Sequence, residues 1–312
     1  MRPILALPLV LAACVPAATP SVLCGPATLA AVPTPPPVEG LEAEVRRIIH
    51  AAAGDTAEVS VAFLDLQTGD SLLVDAHVRM HAASTMKVPV MMELFRRAGA
   101  GELSFDAPIR VHNEFTSIAD GGTYRLSPDD DSDRELYRRV GQTVALRELV
   151  ERMITRSSNL ATNILIAEAR PARIAQTMER IGARDMHVLR GVEDQAAFDA
   201  GMNNTTTAYA LMRVMRAVQD PAIVGEPAAR EMQAILERQE FTEMIPAGLP
   251  EGTRVANKTG SITRISHDAA IVYPPGRAPY VLVVLTRGFA DSDAAARVGC
   301  DVSRAIWANV VR

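Results

Sequence analysis

The chain has 312 residues, of which 48% are apolar and 22% are charged, and its formal net charge is −5. This balance is typical of a folded, soluble protein and excludes a largely disordered or membrane-embedded chain. No block of Lys and Arg residues is interleaved with aromatic residues, so we expect no nucleic-acid partner.

The N-terminal residues 1–14 have the pattern of an export signal. Arg2 gives a minimal positive start, and residues 4–13 form an apolar stretch too short to span a bilayer. Small residues precede Cys14, as in a bacterial lipoprotein signal that is cleaved and acylated at the cysteine; a plain secretory signal is the alternative. We expect an exported, periplasmic protein that is held at a membrane only through a lipid on Cys14.

Residues 15–38 are rich in Pro, Ala and Thr and predict an extended, semi-rigid tether, which one domain over residues 39–312 follows. Two cysteines remain besides Cys14. A disulfide between Cys24 and Cys300 is one alternative, and the interpretation we favour is that Cys300 acts as a small, buried apolar residue.

The first elements of the domain follow from the spacing of its apolar residues. Residues 41–53 have apolar positions at helical spacing, which predicts a helix. Residues 59–66 and 71–74 are rich in β-forming residues, and the turn residues 67–70 between them predict a hairpin. A helical stretch follows from Ser84 to about residue 219.

The chain then returns to strands, predicted at residues 254–257, 269–273 and 280–286, before a last helix at 294–311. Strands at both ends around a helical middle predict a mixed α/β (α+β) fold. We expect an antiparallel sheet flanked by helices and completed by both ends of the chain, with an all-helical lobe inserted at about residues 84–220.

Three short motifs occur in one order: S-x-x-K at Ser84–Lys87, S-x-N at Ser157–Asn159, and K-T-G at Lys258–Gly260. Each one alone arises by chance in many chains. The second motif serine lies 73 positions after the first, and the lysine of K-T-G lies 101 positions after the second serine, an order and spacing that are hard to obtain by accident. They combine a serine nucleophile with a lysine partner, a hydroxyl and amide relay, and a cationic anchor for a carboxylate.

Ser84 lies where coil meets the predicted helix, so unpaired N–H groups and the helix dipole favour negative charge that develops on its oxygen. Lys87 is one turn later on the same face. A free lysine, with a pKa of about 10.4, is a poor base at neutral pH, so burial or nearby cations must lower its pKa. Without the other motifs, the alternative is a helix-capping serine beside a surface lysine.

Together the three motifs resemble those of the penicillin-recognising serine hydrolases and, among them, the class A β-lactamases, from about residue 39 to the C-terminus. The resemblance implies the α/β domain with its helical lobe and an acyl-enzyme on Ser84. We expect a monomer without a cofactor, and a small-molecule β-lactam or a cell-wall peptide as the substrate. Of the six histidines, His77 and His81 alone have the spacing of metal ligands, and we expect them to flank the first strands rather than to bind zinc, so we expect no metal site.

By this resemblance, Ser157 passes a proton to the leaving nitrogen, and Asn159 contacts both Lys87 and the amide carbonyl of the substrate. Helix capping by Ser157 and Asn159 is the structural alternative. The middle residue, Ser158, departs from the Asp that β-lactamases usually have, and a serine there is also seen in D,D-peptidases.

The K-T-G motif is predicted to end a strand beside the nucleophile. Lys258 and Thr259 would attract the carboxylate of the substrate, while Gly260 lets the backbones approach because it has no Cβ. The backbone N–H groups of Ser84 and Ser261 would form the oxyanion hole.

Glu193 follows Asn159 by 34 residues, which is the spacing of the class A glutamate that activates the hydrolytic water. Asp194 and Asp199 are alternative bases, and a plain surface role for Glu193 is a third interpretation. Ala197 occupies the position where the family places a water-holding asparagine. We also expect Asn204 to be tied to Arg190 where this loop closes.

Two further expectations concern the substrate. His267 and Asp268 stand near the place where many β-lactamases have a carboxylate-binding arginine, and Arg264 is the nearest substitute. The segment 111–139 is longer than in typical β-lactamases, and its acidic run, residues 129–133, predicts a solvated loop that faces a cationic cell-wall fragment.

These patterns favour a class A-type serine β-lactamase that hydrolyses its acyl-enzyme through Glu193. The alternative is a D,D-peptidase or related amidase or esterase on cell-wall peptides, which Ser158, Ala197 and the long 111–139 segment favour. A non-hydrolytic β-lactam sensor is the third hypothesis, and the sequence offers no output domain for it.

Overall fold

The computed structural model describes residues 38–54 and 56–311. The predicted signal segment with Cys14, and the predicted tether up to residue 37 with Cys24, lie outside the described residues. Within the described ranges, no helix combines the length and the apolar character that crossing a membrane requires.

The long helices and the strands at both ends of the domain follow the order that the sequence pattern predicts. Five short strands within residues 84–220 were not predicted, so the expectation of an all-helical lobe is wrong. These strands are only two or three residues long, too short for an alternating apolar pattern to mark them. The strands are β1 (Glu58–Asp65), β2 (Ser71–Val74), β3 (Met80–His81), β4 (Pro108–Arg110), β5 (Phe115–Thr116), β6 (Thr123–Tyr124), β7 (Thr143–Ala145), β8 (Thr205–Thr206), β9 (Arg254–Ile262), β10 (Ile265–Tyr273) and β11 (Tyr280–Arg287). The helices are α1 (Val38–Ala53), α2 (Lys87–Gly99), α3 (Arg134–Tyr137), α4 (Leu146–Thr155), α5 (Asn159–Ala169), α6 (Pro171–Arg180), α7 (Gln195–Asp199), α8 (Ala208–Gln219), α9 (Pro221–Val224), α10 (Glu226–Leu236) and α11 (Ser292–Val310), with short 3-10 helices at Ala83–Met86 and Pro246–Gly248.

The main sheet is antiparallel, with the strand order β2-β1-β11-β10-β9. Its first two strands come from the start of the domain and its last three from the end, and helices flank it. The predicted fold class, an antiparallel sheet flanked by helices and completed by both ends of the chain, is confirmed.

Both faces of this sheet are buried, and alternate residues of each strand serve opposite faces. Val61 and its partner Val284 pack with α1 and α11, whereas the neighbouring pair Ala62 and Val283 packs with the helices between β3 and β9. This arrangement places α8 against β1, β10 and β11. The edge strand β9 then lies beside the start of α2.

β9 and β10 are longer than the predicted strands at 254–257 and 269–273. The K-T-G motif therefore lies inside β9 rather than at its end, with Lys258 opposite Ala269 and Gly260 opposite His267. The pattern missed these extensions because they contain Lys258, Gly260 and Asp268, which are poor strand formers, and here cross-strand pairing decides the conformation.

Cys300 is fully buried in α11 and is disulfide-bonded, with its partner outside the described residues. The interpretation of Cys300 as an unbonded apolar residue is therefore wrong. A disulfide constrains the unfolded chain, and this typically stabilises a fold by about 2–4 kcal/mol.

Candidate active site

Ser84 lies at the edge of the main sheet, in the 3-10 turn that runs directly into α2. A Cβ on Gly260 would come within 2.8 Å of the backbone nitrogen of Ser84, so only glycine allows β9 to pass this close. Ala83, just before the serine, has a φ of 46° in the left-handed region, and its N–H donates to His81 Nδ1 at 3.0 Å. Strained backbone of this kind is found preferentially at functional sites.

Lys87 is completely buried one turn after Ser84. Its Nζ donates to the carbonyl oxygen of Ser157 at 2.6 Å, to Asn159 Oδ1 at 2.9 Å and to the Ser157 hydroxyl at 3.2 Å. Burial lowers the pKa of Lys87 to about 7, although the carboxylates of Asp131 and Glu193 oppose this shift. A neutral amine is therefore available near neutral pH, as a base next to the serine requires.

Lys258 is equally buried, and its Nζ donates to Ser157 Oγ at 3.0 Å and to the Thr259 carbonyl at 2.9 Å. Burial and the nearby Lys87 charge hold the pKa of Lys258 well below its ordinary value, while Asp268 raises it. Asp268 is also fully buried, and burial raises its own pKa to about 6. The hydroxyl of Ser157 is thus the point where both motif lysines meet.

Ser157 sits in the turn between α4 and α5 with a φ of 56°, again in the left-handed region. The N-cap of α5 is Ser158, whose hydroxyl accepts from the N–H of Ala161 at 3.2 Å. The alternative in which Ser157 and Asn159 cap the helix is therefore wrong. Because Ser158 takes this role, the side chains on either side of it are free to face the cleft.

Glu193 faces the cleft from the opposite side, with a φ of 60°. Its Oε1 accepts from Asn159 Nδ2 at 2.7 Å, which joins the loop to the S-x-N motif. Glu193 is exposed at the surface of the cleft, yet the protein around its carboxyl group partly desolvates it and raises its pKa. The charges of Asp131 and Asp130 raise it further, while the hydrogen bond from Asn159 opposes this.

Asn163 holds the loop that carries Glu193 and was not predicted from the sequence. Its Oδ1 accepts from the N–H of Val192 at 2.7 Å, and its Nδ2 donates to the Val192 carbonyl at 3.0 Å. A Cβ on Gly191 would come within 2.6 Å of Asn163 Oδ1, so the loop approaches α5 closely. The usable signal was its position four residues after Asn159, on the same face of a helix.

The two alternative bases are placed differently from Glu193. Asp194 caps α7, accepting from the N–H of Ala197 at 3.0 Å and from the N–H of Ile118 at 3.1 Å. Asp199 is exposed, accepts from Gln195 Nε2 at 2.7 Å, and does not line the hollows around Ser84. Neither carboxylate has the contact with Asn159 that Glu193 has.

The end of this loop is closed by Asn204, as the sequence suggested. Its Oδ1 accepts from the N–H of Leu189 at 2.8 Å and its Nδ2 donates to the Arg190 carbonyl at 3.0 Å. The guanidinium of Arg190 is buried against the Met202 carbonyl and the side chain of Asn203.

The acidic run at residues 129–133 is not a uniformly solvated loop, so that expectation is wrong. Asp129 and Asp130 are exposed, but Asp131 and Asp133 are only 4% and 2% exposed. Asp133 is held by the guanidinium of Arg152 at 2.9 Å. Buried carboxylates need such partners, and the sequence pattern of an acidic run does not reveal them.

Arg264 lies at the tip of the hairpin between β9 and β10, and its guanidinium donates to the Gly288 carbonyl. It does not line the hollow that contains Ser84 and Thr259, so the structure gives no support to its predicted role in carboxylate binding.

His267 is buried and neutral. Its Nδ1 accepts from the N–H of Thr286 at 3.1 Å, so its Nε2 carries the proton and donates to the His81 carbonyl at 2.9 Å. Burial lowers the pKa of His267 to about 4. Among the described residues, no group of three or more His, Cys, Asp or Glu side chains could hold a metal ion.

Two adjoining hollows of about 380 and 740 Å³ share Ser84, Asn159 and Ser261 in their walls. One extends toward Thr259 and the other toward Glu193. Volumes of this size suit small-molecule ligands. The predicted residues Ser84, Lys87, Ser157, Asn159, Glu193, Lys258, Thr259, Gly260 and Ser261 are thus brought together around one cleft.

Residues 40–310 match the model of the β-lactamase enzyme family. The chain belongs to this family. A β-lactamase of Bacteroides uniformis is 24% identical over 278 residues, which are 84% of this chain and 89% of that protein. β-Lactamases of Bacillus amyloliquefaciens and Nocardia asteroides are each 32% identical over 154 and 152 residues, 47% of this chain. The chain spans about half the length of these two relatives, 49% of each.

Solved structures show the same fold. A β-lactamase of Sphaerobacter thermophilus superposes with a TM-score of 0.74 at 23% identity, covering 86% of this chain and 97% of that one. PBP-A superposes with a TM-score of 0.72 at 22% identity, covering 89% and 98%. A mutant of PBP-A in an acyl-enzyme complex with penicillin G superposes equally well, with a TM-score of 0.72 at 23% identity, covering 88% and 98%.

Proposed function

We propose that this protein is a class A-type serine hydrolase that opens β-lactam amide bonds through an acyl-enzyme on Ser84. The observation that carries the proposal is the convergence of the buried Lys87 and Lys258 on the hydroxyl of Ser157, in the same cleft as Ser84. This convergence supports the roles that we propose: a base, a proton relay and a cationic anchor next to one nucleophile.

In acylation, the neutral amine of Lys87 takes the hydroxyl proton of Ser84 while Oγ bonds to the lactam carbonyl carbon. The backbone N–H groups of Ser84 and Ser261 then stabilise the negative charge on the carbonyl oxygen. When the C–N bond breaks, the nitrogen receives the hydroxyl proton of Ser157, which Lys87 replaces. Because both lysines donate to Ser157 Oγ, the hydroxyl proton of Ser157 can point to a third group, here the leaving nitrogen.

Lys258 and Thr259 attract the carboxylate that accompanies the lactam ring, and the amide carbonyl of the substrate lies next to Asn159. In hydrolysis, the carboxylate of Glu193 takes a proton from a water molecule whose oxygen bonds to the acyl carbon. The bond between the acyl carbon and Ser84 Oγ then breaks, and the proton that Glu193 took from the water returns to Ser84 as its hydroxyl proton. The raised pKa of Glu193 makes it a stronger base than an ordinary carboxylate.

The first test is turnover of a chromogenic cephalosporin, followed by intact mass after incubation with benzylpenicillin. We expect turnover and an adduct on the wild type, and neither on Ser84→Ala with an unchanged melting temperature. A wild type that no β-lactam acylates would exclude the proposal.

A D,D-peptidase or related amidase or esterase is the second candidate, and a specific observation favours it. Ala197 is buried and offers a methyl group, so the loop provides no amide at that position to help hold a hydrolytic water. A benzylpenicillin adduct that lasts for hours, with release of D-alanine from a peptide stem, would select this function. Rapid loss of the adduct would select the β-lactamase. A penicillin-binding sensor would form the adduct and release neither product.

We also infer export and lipid anchoring from the sequence of residues 1–14. Incorporation of labelled palmitate by expressing cells, and its loss in Cys14→Ser, would support the anchor. Labelling that persists in that variant would exclude it. A monomer is expected and is checked by sedimentation.

A further inference from the structure

A buried carboxylate, that of Asp131, lies behind the turn that carries Ser157 and Asn159. Its Oδ2 accepts from the backbone N–H groups of Asn159 and Leu160, each at 2.9 Å, and from the hydroxyl of Tyr137 at 2.9 Å. Asp131 is 4% exposed, so these bonds form away from solvent. Asp131 belongs to the acidic run at residues 129–133 and to none of the three catalytic motifs.

These contacts complete the N-terminus of α5. The first N–H groups of a helix have no partner within it, and a negative charge there is favoured by the helix dipole. Asp131 takes the first two of them, and Ser158 takes the third, at Ala161. The backbone from which the Asn159 side chain projects is therefore fixed by charge-assisted hydrogen bonds from a different segment of the chain.

The Asn159 side chain joins the two halves of the site. Its Oδ1 accepts from Lys87 and its Nδ2 donates to Glu193, at 2.9 and 2.7 Å. A shift of the Asn159 backbone would therefore disturb both contacts at once. Tyr137, at the end of α3, braces the carboxylate that prevents this shift.

We propose that Asp131 is a positioning residue for the reaction, holding Asn159 where its amide links Lys87 to Glu193. This inference rests on the proposed function. It also assigns part of the long 111–139 segment to the catalytic architecture rather than to contact with the substrate.

The negative charge of Asp131 also affects the pKa of Lys87, which a purely structural role would not do. Its charge raises the pKa of Lys87, as does that of Glu193, while burial lowers it. The Lys258 ammonium is the other charge next to Lys87, and the two lysines repel each other. Loss of the Asp131 charge therefore lowers the pKa of Lys87 and extends the neutral amine to lower pH.

Asp133 provides a matched control in the same loop. It is buried to the same degree, but its carboxylate is held by Arg152 rather than by the start of α5. Asp133→Asn breaks a buried ion pair without touching Asn159.

The experiment measures the rate of benzylpenicillin acylation by intact mass, from about pH 5 to about pH 9, in wild type, Asp131→Asn, Asp133→Asn and Tyr137→Phe. We expect Asp131→Asn to lose about tenfold or more in the maximal rate, as for loss of a charged hydrogen bond. We also expect its half-maximal pH to fall. Tyr137→Phe should lose rate to a lesser extent, and Asp133→Asn should keep the wild-type half-maximal pH.

Equal rates and equal half-maximal pH in Asp131→Asn and Asp133→Asn would overturn the inference. If Asp131→Asn lacks a cooperative melting transition, the test rests on Tyr137→Phe instead. An acylation rate of Tyr137→Phe equal to that of wild type would then overturn the inference. If benzylpenicillin does not acylate the wild type, the proposed function itself is wrong. This outcome is distinct from failure of the inference about Asp131, in which the wild type is acylated and the variants show no difference.

Discussion

The two sides of the cleft are built differently. On the lysine side, Lys87 and Lys258 are fully buried and share the hydroxyl of Ser157, with further bonds to backbone carbonyls. On the loop side, Glu193 is exposed and its hydrogen bond in the described chain comes from Asn159. The groups that we propose for acylation are thus held by packing and several bonds, whereas the group that we propose for hydrolysis depends on one amide.

This difference has a kinetic meaning. Charged groups that are fixed before the reaction stabilise its transition state without reorganising, so acylation should be efficient. A loosely held base positions water less well, and misplacement of a reacting group by about 1 Å can cost 10²-fold in rate. We therefore expect the acyl-enzyme to accumulate, and the following predictions test the two sides separately.

The largest effect is expected on the lysine side. Lys87→Met should lower the acylation rate by about 10⁴-fold, because the general base is lost and the oxygens of Ser157 and Asn159 lose their donor. Stopped mixing with benzylpenicillin and intact mass measures this rate. An acylation rate within tenfold of wild type would mean that another group acts as the base, and the contrast between the two sides of the cleft would then be wrong.

On the loop side, Glu193→Gln should keep most of the acylation rate and slow hydrolysis of the adduct by about 10²–10³-fold. The lifetime of the benzylpenicillin adduct measures it. Asp199→Asn is the control, since it removes an exposed carboxylate from the same loop, and it should leave the lifetime unchanged. An unchanged lifetime in Glu193→Gln would indicate a route that uses the lysines.

The residues of the lysine side were predictable because their chemistry restricts residue types. Few residue types can serve as a nucleophile, its base or an anion anchor, and the order of the three motifs restricts the choice further. Ser84, Lys87 and Lys258 indeed lie at one cleft. The sheet was predictable as well, because alternation of apolar residues marks its strands. The ends of β9 and β10 were not, since there the polar residues of the site interrupt that pattern.

Other parts of the site left no signal in the sequence. Ala83, Ser157 and Glu193 all have positive φ, a conformation that residue type predicts only for glycine and, less strongly, Asn or Asp. The burial of Asp131 was equally hidden, because an acidic run has the composition of a solvated loop whether or not the helix start it caps lies nearby. Tertiary contact decides both features.

The pH dependence of the acylation rate tests whether Lys87 is as deeply buried as the lysine side requires. Because burial lowers the pKa of Lys87 to about 7, the neutral base is lost as pH falls below that value. The acylation rate should therefore rise about tenfold per pH unit below 7 and level off above it. An unburied lysine would place this half-maximal pH near 10. A rate that keeps rising tenfold per unit well above neutral pH would show that Lys87 is not desolvated as described.

The smallest effect concerns the turn that both sides share. Ser158→Ala removes the N-cap of α5 and should lower the free energy of unfolding by about 1 kcal/mol. Thr207→Ala removes the equivalent N-cap of α8, which lies outside both hollows around Ser84, and should cost a similar amount.

Denaturant unfolding of both variants measures this cost, and acylation rates then separate them. Because Asp131 still binds the first two N–H groups of α5, the turn should keep its position, and Ser158→Ala should lose no more than a fewfold in acylation. Thr207→Ala should lose none. A loss in Ser158→Ala as large as that in Asp131→Asn would mean that the cap and the carboxylate position Asn159 together. The position of the lysine side would then depend on all the hydrogen bonds at the N-terminus of α5, those of Asp131 and of Ser158, and not only on the bonds between the two lysines and Ser157.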